Sequence, residues 1–208
     1  MAEPFDRPAS PAAALAELLA GNQRFVTGTR VHPNQDAEFR ASLAAEQRPF
    51  AVVFGCSDSR LAAEIIFDRG LGDLFVVRTA GHIVGEEVLA SIEFGVTQLG
   101  VPLVAVLGHD SCGAIAAAHA AVTGERPPGQ TFNAIVERVL PSLLYTPAGT
   151  AEDVDTLGHA HVQRTLDILT SPGTAIADAV AAGQCRVVGM SYRLADGRVS
   201  VISPAPVA

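Results

Sequence analysis

Tryptophan is missing from this chain, and aromatic residues of every kind make up only 5 % of it. That argues against an aromatic-rich β-sandwich. Basic residues are outnumbered: 14 Lys and Arg face 22 Asp and Glu, for a net charge of −8 and a pI near 5.1. A nucleic-acid interface needs a basic stripe, and an anionic membrane surface needs a basic amphipathic helix; the sequence offers neither. No apolar run approaches the ~18 residues of a membrane-spanning helix. The best candidate, residues 101–108, has the length of a buried strand. Cysteine occurs three times, an odd number that makes a poor disulfide framework. The first residues carry no basic stretch followed by an apolar one, so the sequence predicts no signal peptide and a cytoplasmic location. In that reducing compartment, clustered cysteines more often signal a metal or catalysis than a crosslink.

What is present is apolar material and small residues. Over 208 residues, 49 % are hydrophobic, 17 % are charged and 19 are glycine, enough for a real core with helices packed closely on a sheet. Residues 9–28 read as an amphipathic helix with Leu15, Leu18 and Leu19 on one face. Ser10 stands at its N-cap and Pro11 at its first position. A polar, broken stretch follows over 29–36. Three similar units come next: an apolar run at 50–55, 74–77 or 102–107, a loop (glycine-containing in the second and third), then a helix-like segment at 62–68, 86–99 or 113–122. Continuous apolar runs mark strands buried on both faces, and their alternation with helices predicts a parallel sheet. Residues 130–145 and 152–182 read as helical, the latter broken at 171–173. Two final strands, 184–192 and 198–202, flank a tight turn at Ala195-Asp-Gly197. The expected architecture is α/β: a central, mostly parallel sheet flanked by helices, with an N-terminal helical arm (1–36), a single domain (37–208) and a C-terminal edge strand pair.

Ligands of open α/β sheets bind beyond the carboxyl ends of the strands. Two groups sit there by sequence: Cys56-Ser-Asp-Ser-Arg60 after the first run, and Gly108-His109-Asp-Ser-Cys112-Gly113 after the third. Two thiolates and an imidazole, from Cys56, His109 and Cys112, are a ligand set that zinc prefers, and three protein ligands leave a fourth position for water. A metal there lowers the pKa of its water towards ~7. Asp58 can accept a hydrogen bond from that oxygen, or bind the metal itself and close the open position. Arg60, always charged, can hold Asp58 in a bidentate pair and decide between these outcomes. Cys185 lies in an apolar run and reads as core. His82 reads as a hydrogen-bonded structural histidine. His159 and His161, two apart on a helix, cannot share a face and are no metal pair.

The two motifs together resemble the paired signatures of β-class carbonic anhydrases. The likeness extends from Gly21-Asn-Gln-Arg-Phe25 through Phe75-Val-Val-Arg78 to Val188-Gly189, Tyr192 and Gly197, nearly the whole chain. The resemblance implies a zinc lyase that interconverts carbon dioxide and bicarbonate and assembles as a homodimer or homotetramer. Its zinc ligands fall on Cys56, His109 and Cys112, and its Asp–Arg dyad on Asp58 and Arg60. It further implies substrate contacts by Gln47, Phe75, Phe94 and Gly113, in a pocket completed across a dimer interface, with the N-terminal helix as an arm packing on the neighbour. Members regulated by bicarbonate carry a tryptophan where this chain has Val53, although Gly55 matches them. Three other readings stay open at this stage. The same scaffold hydrolyses carbon disulfide or carbonyl sulfide in a few relatives. A strand, a cysteine loop and an arginine also make a phosphatase cradle, although three residues between Cys56 and Arg60 are too few for one. Zinc with Asp58 as a permanent fourth ligand would merely staple the fold.

Overall fold

A computed structural model describes residues 7–122, 124–125, 129–146 and 153–204. Residues 1–6 of the 1–36 arm, and residue 152 at the head of the expected 152–182 helical stretch, lie outside the described residues.

Helix α1 spans Pro11–Thr27. Ser10 Oγ accepts the Ala13 N–H at its start, Pro11 supplies a preset φ, and Gly28 in the left-handed region closes its end. A short helix, α2 (Ala37–Ser42), is capped by Asp36, whose carboxylate accepts from Phe39 N at 2.8 Å. Then follow β1 (Ala51–Cys56), α3 (Ala63–Ile66), β2 (Leu74–Thr79), a 3-10 turn (Ala80–His82), α4 (Glu86–Thr97), β3 (Leu103–His109) and α5 (Gly113–Val122). The chain continues through α6 (Gln130–Val139), a second 3-10 segment (Leu140–Tyr145), α7 (Val154–Leu169), α8 (Ala175–Ala181), β4 (Arg186–Tyr192) and β5 (Val199–Pro204).

Two helices are shorter than their sequence pattern suggests, each for a local reason. The 130–145 pattern is not one α-helix. Pro141 has no N–H to donate, and its ring clashes one turn back, so α6 ends at Val139 and a 3-10 segment takes over. The 62–68 pattern yields only Ala63–Ile66, because Asp68 sits at φ 47, outside the helix, where its carboxylate accepts from Arg24, Val31 N and His32 N.

The five strands lie in the order β2-β1-β3-β4-β5, parallel except for the antiparallel β4–β5 pair, with β5 at one edge. β1 and β3 are buried along their whole length, which explains their unbroken apolar runs. Successive side chains enter opposite layers. Val53, Leu103, Ala105, Leu107, Val188 and Met190 pack with α1, α3, α5 and α6. Val52, Phe54, Val104, Val106 and Val187 pack with α4, α7 and α8. Cys185 belongs to this second layer, fully buried, and burial pushes its thiol up to about 12.

α1 lies on its own domain. Ala14, Leu18, Gly21 and Asn22 are buried. Asn22 donates to Ile66 O (3.2 Å) and Gly197 O (2.8 Å) and accepts from Val199 N (2.8 Å), tying α1 to both α3 and the β4–β5 turn. Glu17 pairs with buried Arg69, and Arg24 with Asp68.

The chain leaves β1 to build β2 on one side and then crosses over to build β3 on the other. Between β1 and β3 the connections therefore diverge, opening a crevice past the strand ends, the general place for a site in such sheets. Cys56 is the last residue of β1, and His109 the last of β3.

Candidate metal centre

The crevice brings together Cys56, His109 and Cys112, all buried, with their ligand atoms within 4.8 Å of one another. The two sulfurs are 4.0 Å apart. Cys112 precedes α5, so the N–H groups of Ala114 and Ile115 face its sulfur, and its carbonyl accepts Ala116 N at 2.9 Å. Cys56 accepts the N–H of Gly81 at 3.2 Å.

The imidazole is preset for coordination. His109 Nδ1 lies 2.8 Å from Asp110 O, which can only accept, so Nδ1 carries the proton and Nε2 presents a lone pair. That Nε2 is buried and has no hydrogen-bond partner. Electrostatics around the sulfurs point the same way. A hydrogen bond from Cys112, set against burial, and the N–H groups of Gly81 and Asp58 draw the Cys56 thiol well below its ordinary value. Cys112 is pushed up, first by that same hydrogen bond and then by burial. Two thiols side by side cannot both ionise cheaply unless a cation joins them. The orphaned nitrogen and the paired sulfurs therefore fit a soft-to-borderline divalent metal.

Asp58 is paired with Arg60 as the sequence suggests. Arg60 Nε donates to Asp58 Oδ1 at 2.9 Å and Nη2 to Oδ2 at 2.7 Å, and Arg60 N adds a third bond to Oδ1 at 2.9 Å. These donors, Arg60 first, hold the Asp58 carboxyl well below the usual carboxylate range. The Asp58 side chain is 17 % exposed and that of Arg60 53 %, so the arginine covers the carboxylate from the solvent side. Arg78 is a residue whose part the sequence does not reveal. From the end of β2 it donates to Cys56 O (2.9 Å) and Asp58 O (2.6 Å), clamping the loop that carries both residues. The parallel register that sets Arg78 beside Gly55 is the signal that would have found it.

The remaining candidates are dispersed. Gly113 opens α5 beside Cys112, exposed, with nothing within 4 Å of where a Cβ would stand. Phe75 and Phe94 pack on each other, ring centroids 6.1 Å apart, in the layer opposite Cys56 and Cys112. Gln47 is exposed before the start of β1. His82 departs from expectation: it is buried, but neither ring nitrogen has a hydrogen-bond partner. Its ring stands edge-on to Phe54 at 6.2 Å and tilted against His161 at 4.5 Å. The residue sits in the left-handed region, φ 40, and its ring is held by these packing contacts and not by hydrogen bonds of its own. His159 is exposed at 3.2 Å from Ser191 Oγ, while His161 is buried, so the two histidines of α7 do point apart.

An α/β sheet whose crevice gathers two thiols and a pre-oriented imidazole defines a metalloenzyme scaffold. The sequence model of the carbonic anhydrases matches residues 51–199. The chain is 52 % identical over 189 residues to carbonic anhydrase 2 of Mycobacterium tuberculosis, covering 91 % of each chain. It is 53 % identical over 194 residues to a carbonic anhydrase of Mycolicibacterium smegmatis, covering 93 % of this chain and 94 % of that one. Among solved structures, a β-carbonic anhydrase of Aspergillus fumigatus superimposes with a TM-score of 0.66 at 27 % identity, over 94 % of this chain and 91 % of the other. A tetrameric β-carbonic anhydrase of Sordaria macrospora shares the fold with a TM-score of 0.71 at 24 % identity, over 91 % and 96 %. The chain belongs to the β-class carbonic anhydrase family. It is a lyase, a carbonate dehydratase. Among the described residues no helix is long and apolar enough to cross a membrane.

Proposed function

We propose that this chain hydrates carbon dioxide reversibly to bicarbonate and a proton, using one zinc ion held by Cys56, His109 and Cys112. The observation that carries this reading is the buried, partnerless Nε2 of His109 facing two sulfurs. The spacing supports zinc: Zn–S bonds of ~2.3 Å at a tetrahedral angle separate two sulfurs by about 3.8 Å, close to the 4.0 Å between Cys56 and Cys112. Zinc in this donor set supplies a Lewis acid that activates water near neutral pH.

The chain's own residues then have three tasks. The sheet layers keep the ligands buried, so their charges act in a poorly screened environment. Asp58 accepts a hydrogen bond from the attacking water and so directs a lone pair at the carbon of carbon dioxide. Arg60, engaging both Asp58 oxygens, keeps that carboxylate from becoming a fourth ligand and closing the site.

Gln47, Phe75 and Phe94 enter the reading through a second copy of the chain. Gln47 precedes β1 and Cys56 ends it, and a six-residue strand spans about 17 Å. One chain therefore does not join them. Phe94 is 45 % exposed, and β2, an edge strand, leaves Leu74, Phe75, Val76 and Val77 only half-buried. Such a surface suits a homodimer or homotetramer in which each copy brings Gln47 and the two phenylalanines to the crevice of the other, beside Gly113. Three buried, free thiols suit a cytoplasmic setting. The alternative substrates, carbon disulfide and carbonyl sulfide, gain no support from the relatives.

The test is metal content with activity. Purified protein should hold about one zinc per chain and hydrate carbon dioxide in a stopped-flow indicator assay. Cys112→Ala should lose metal and activity together, whereas Cys185→Ser should keep both. Zinc retained at parental level in Cys112→Ala would remove these ligands from the reading.

A further inference from the structure

The Cys56 sulfur has a polar neighbour whose own position is set from across the molecule. Gly81 gives its N–H to Cys56 Sγ at 3.2 Å and its carbonyl to His161 Nε2 at 2.9 Å. His161 lies on the inward face of α7, 1 % exposed, and its Nδ1 is 2.8 Å from the hydroxyl of fully buried Ser142. A carbonyl can only accept, so Nε2 bears the proton, Nδ1 is the bare nitrogen, and Ser142 donates to it. Burial first, against the Gly81 bond, pushes the His161 imidazole down to about 4, so it is neutral and this tautomer persists.

The turn at Gly81 needs such a fixture. Gly81 stands at φ 66 and His82 at φ 40, two left-handed residues in succession, a conformation that non-glycine residues adopt at a cost. A Cβ on Gly81 would lie 2.7 Å from the Ala114 Cβ, so the turn is pressed against the start of α5, the helix that Cys112 precedes. The His82 ring contributes no hydrogen bond of its own. The bracket from Thr79 Oγ1 to Ile83 O (3.0 Å) closes the turn, and the His161 bond ties it to α7.

We propose that His161 is a positioning residue for the metal centre: seated by Ser142 and bonded to Gly81, it aims a backbone N–H at Cys56 and so fixes the orientation and donor strength of that ligand. Groups that hydrogen-bond a metal ligand orient and tune it, and losing one typically costs about 10- to 100-fold in metal affinity; His161 acts one step further out, through Gly81. This role rests on the metal reading above, and the experiment separates the two.

Cobalt(II) is the probe, since its thiolate charge-transfer band reports sulfur donor strength and its affinity is measurable by competition with a chelator. In His161→Ala the freed turn should relax its N–H from Cys56. Cobalt should bind about tenfold more weakly, and the charge-transfer band should move to longer wavelength, because an unbonded sulfur holds its electrons less tightly. His161→Gln offers an amide N–H at a similar reach and should restore both readings. Leu169→Ala, an equally buried change on the same helix, should lower stability while leaving affinity and band at parental values. If His161→Ala yields no folded protein, Ser142→Ala decides: with the tautomer released, its band should move in the same direction, and an unmoved band overturns the proposal. A folded His161→Ala with the parental band and affinity overturns it, as does an equal band shift in Leu169→Ala. A parent that takes up no cobalt, or a Cys56→Ala that binds it as well as the parent, defeats the metal reading and the positioning role with it.

Discussion

Asp58 and Arg60 show how much one pair of side chains can decide. Arginine's fork matches a carboxylate geometrically, and here both oxygens are used, with Arg60's own N–H added. The pair is partly open to solvent, so its worth lies in orientation, with little in stability. Asp58→Asn keeps the shape but surrenders an acceptor to an amide donor. It should keep its zinc and lose at least about 100-fold in hydration rate, the scale of a positioned acid–base group. Zinc analysis beside stopped-flow rates checks this, and near-parental turnover in zinc-loaded Asp58→Asn would take Asp58 out of the mechanism.

Among the elements, α1 is the one whose placement carries most consequence. Its contact with α3 is so close that a Cβ at Gly21 would stand 1.8 Å from Phe67 O. Alanine is the better helix former by about 1 kcal/mol, yet backbone cannot yield as a side-chain tip does. Gly21→Ala should therefore lose at least about 2 kcal/mol in urea unfolding, and a stabilised variant would mean α1 does not seat as described. The same contact holds a charge. Burial by itself would raise the Asp68 carboxyl, but Arg24 and the N–H groups of Val31 and His32 outweigh it and hold it below its ordinary value. A depressed carboxylate stabilises the fold above its unfolded value, ~3.9, and that contribution fades as pH falls through the folded value. Asp68→Asn should cost about 2 kcal/mol at pH 7. Its deficit against the parent should shrink on acidification below about pH 4. A deficit independent of pH would show that shape, and not charge, matters at this position.

At the scale of the molecule, the described surface is uneven where β2 and α4 meet. Phe94 is 45 % exposed beside a β2 edge whose apolar residues are only half covered. An unpaired, apolar edge invites another chain. The protein should sediment as a dimer or tetramer at assay concentration. Phe94→Asp, which sets a charge in that patch, should shift it towards monomer and depress activity by at least tenfold, since Gln47 and the phenylalanines then have no partner crevice to serve. A parent that is monomeric and fully active would overturn the shared-pocket reading.

The sequence by itself determined the sheet and the candidate ligand set. Strands buried on both faces must be written in unbroken apolar residues, so β1 and β3 announce themselves, and the polar residues that end them, Cys56 and His109 with Cys112 close behind, stand out as chemistry. Asp58 and Arg60 were legible too, because a pair two residues apart needs only a local turn. Contacts between distant segments were not. Asn22 reaches residues 175 and 177 positions away, His161 reaches Gly81 across 80, and nothing in local pattern or period encodes such meetings. The bare nitrogens of His82 and the clamp of Arg78 were equally hidden, since a side chain's partners depend on which strands lie side by side. Burial pattern is a property of one segment and can be read along the chain; hydrogen-bond partnership is a property of two, and only the folded arrangement of β1, β2, α5 and α7 decided it.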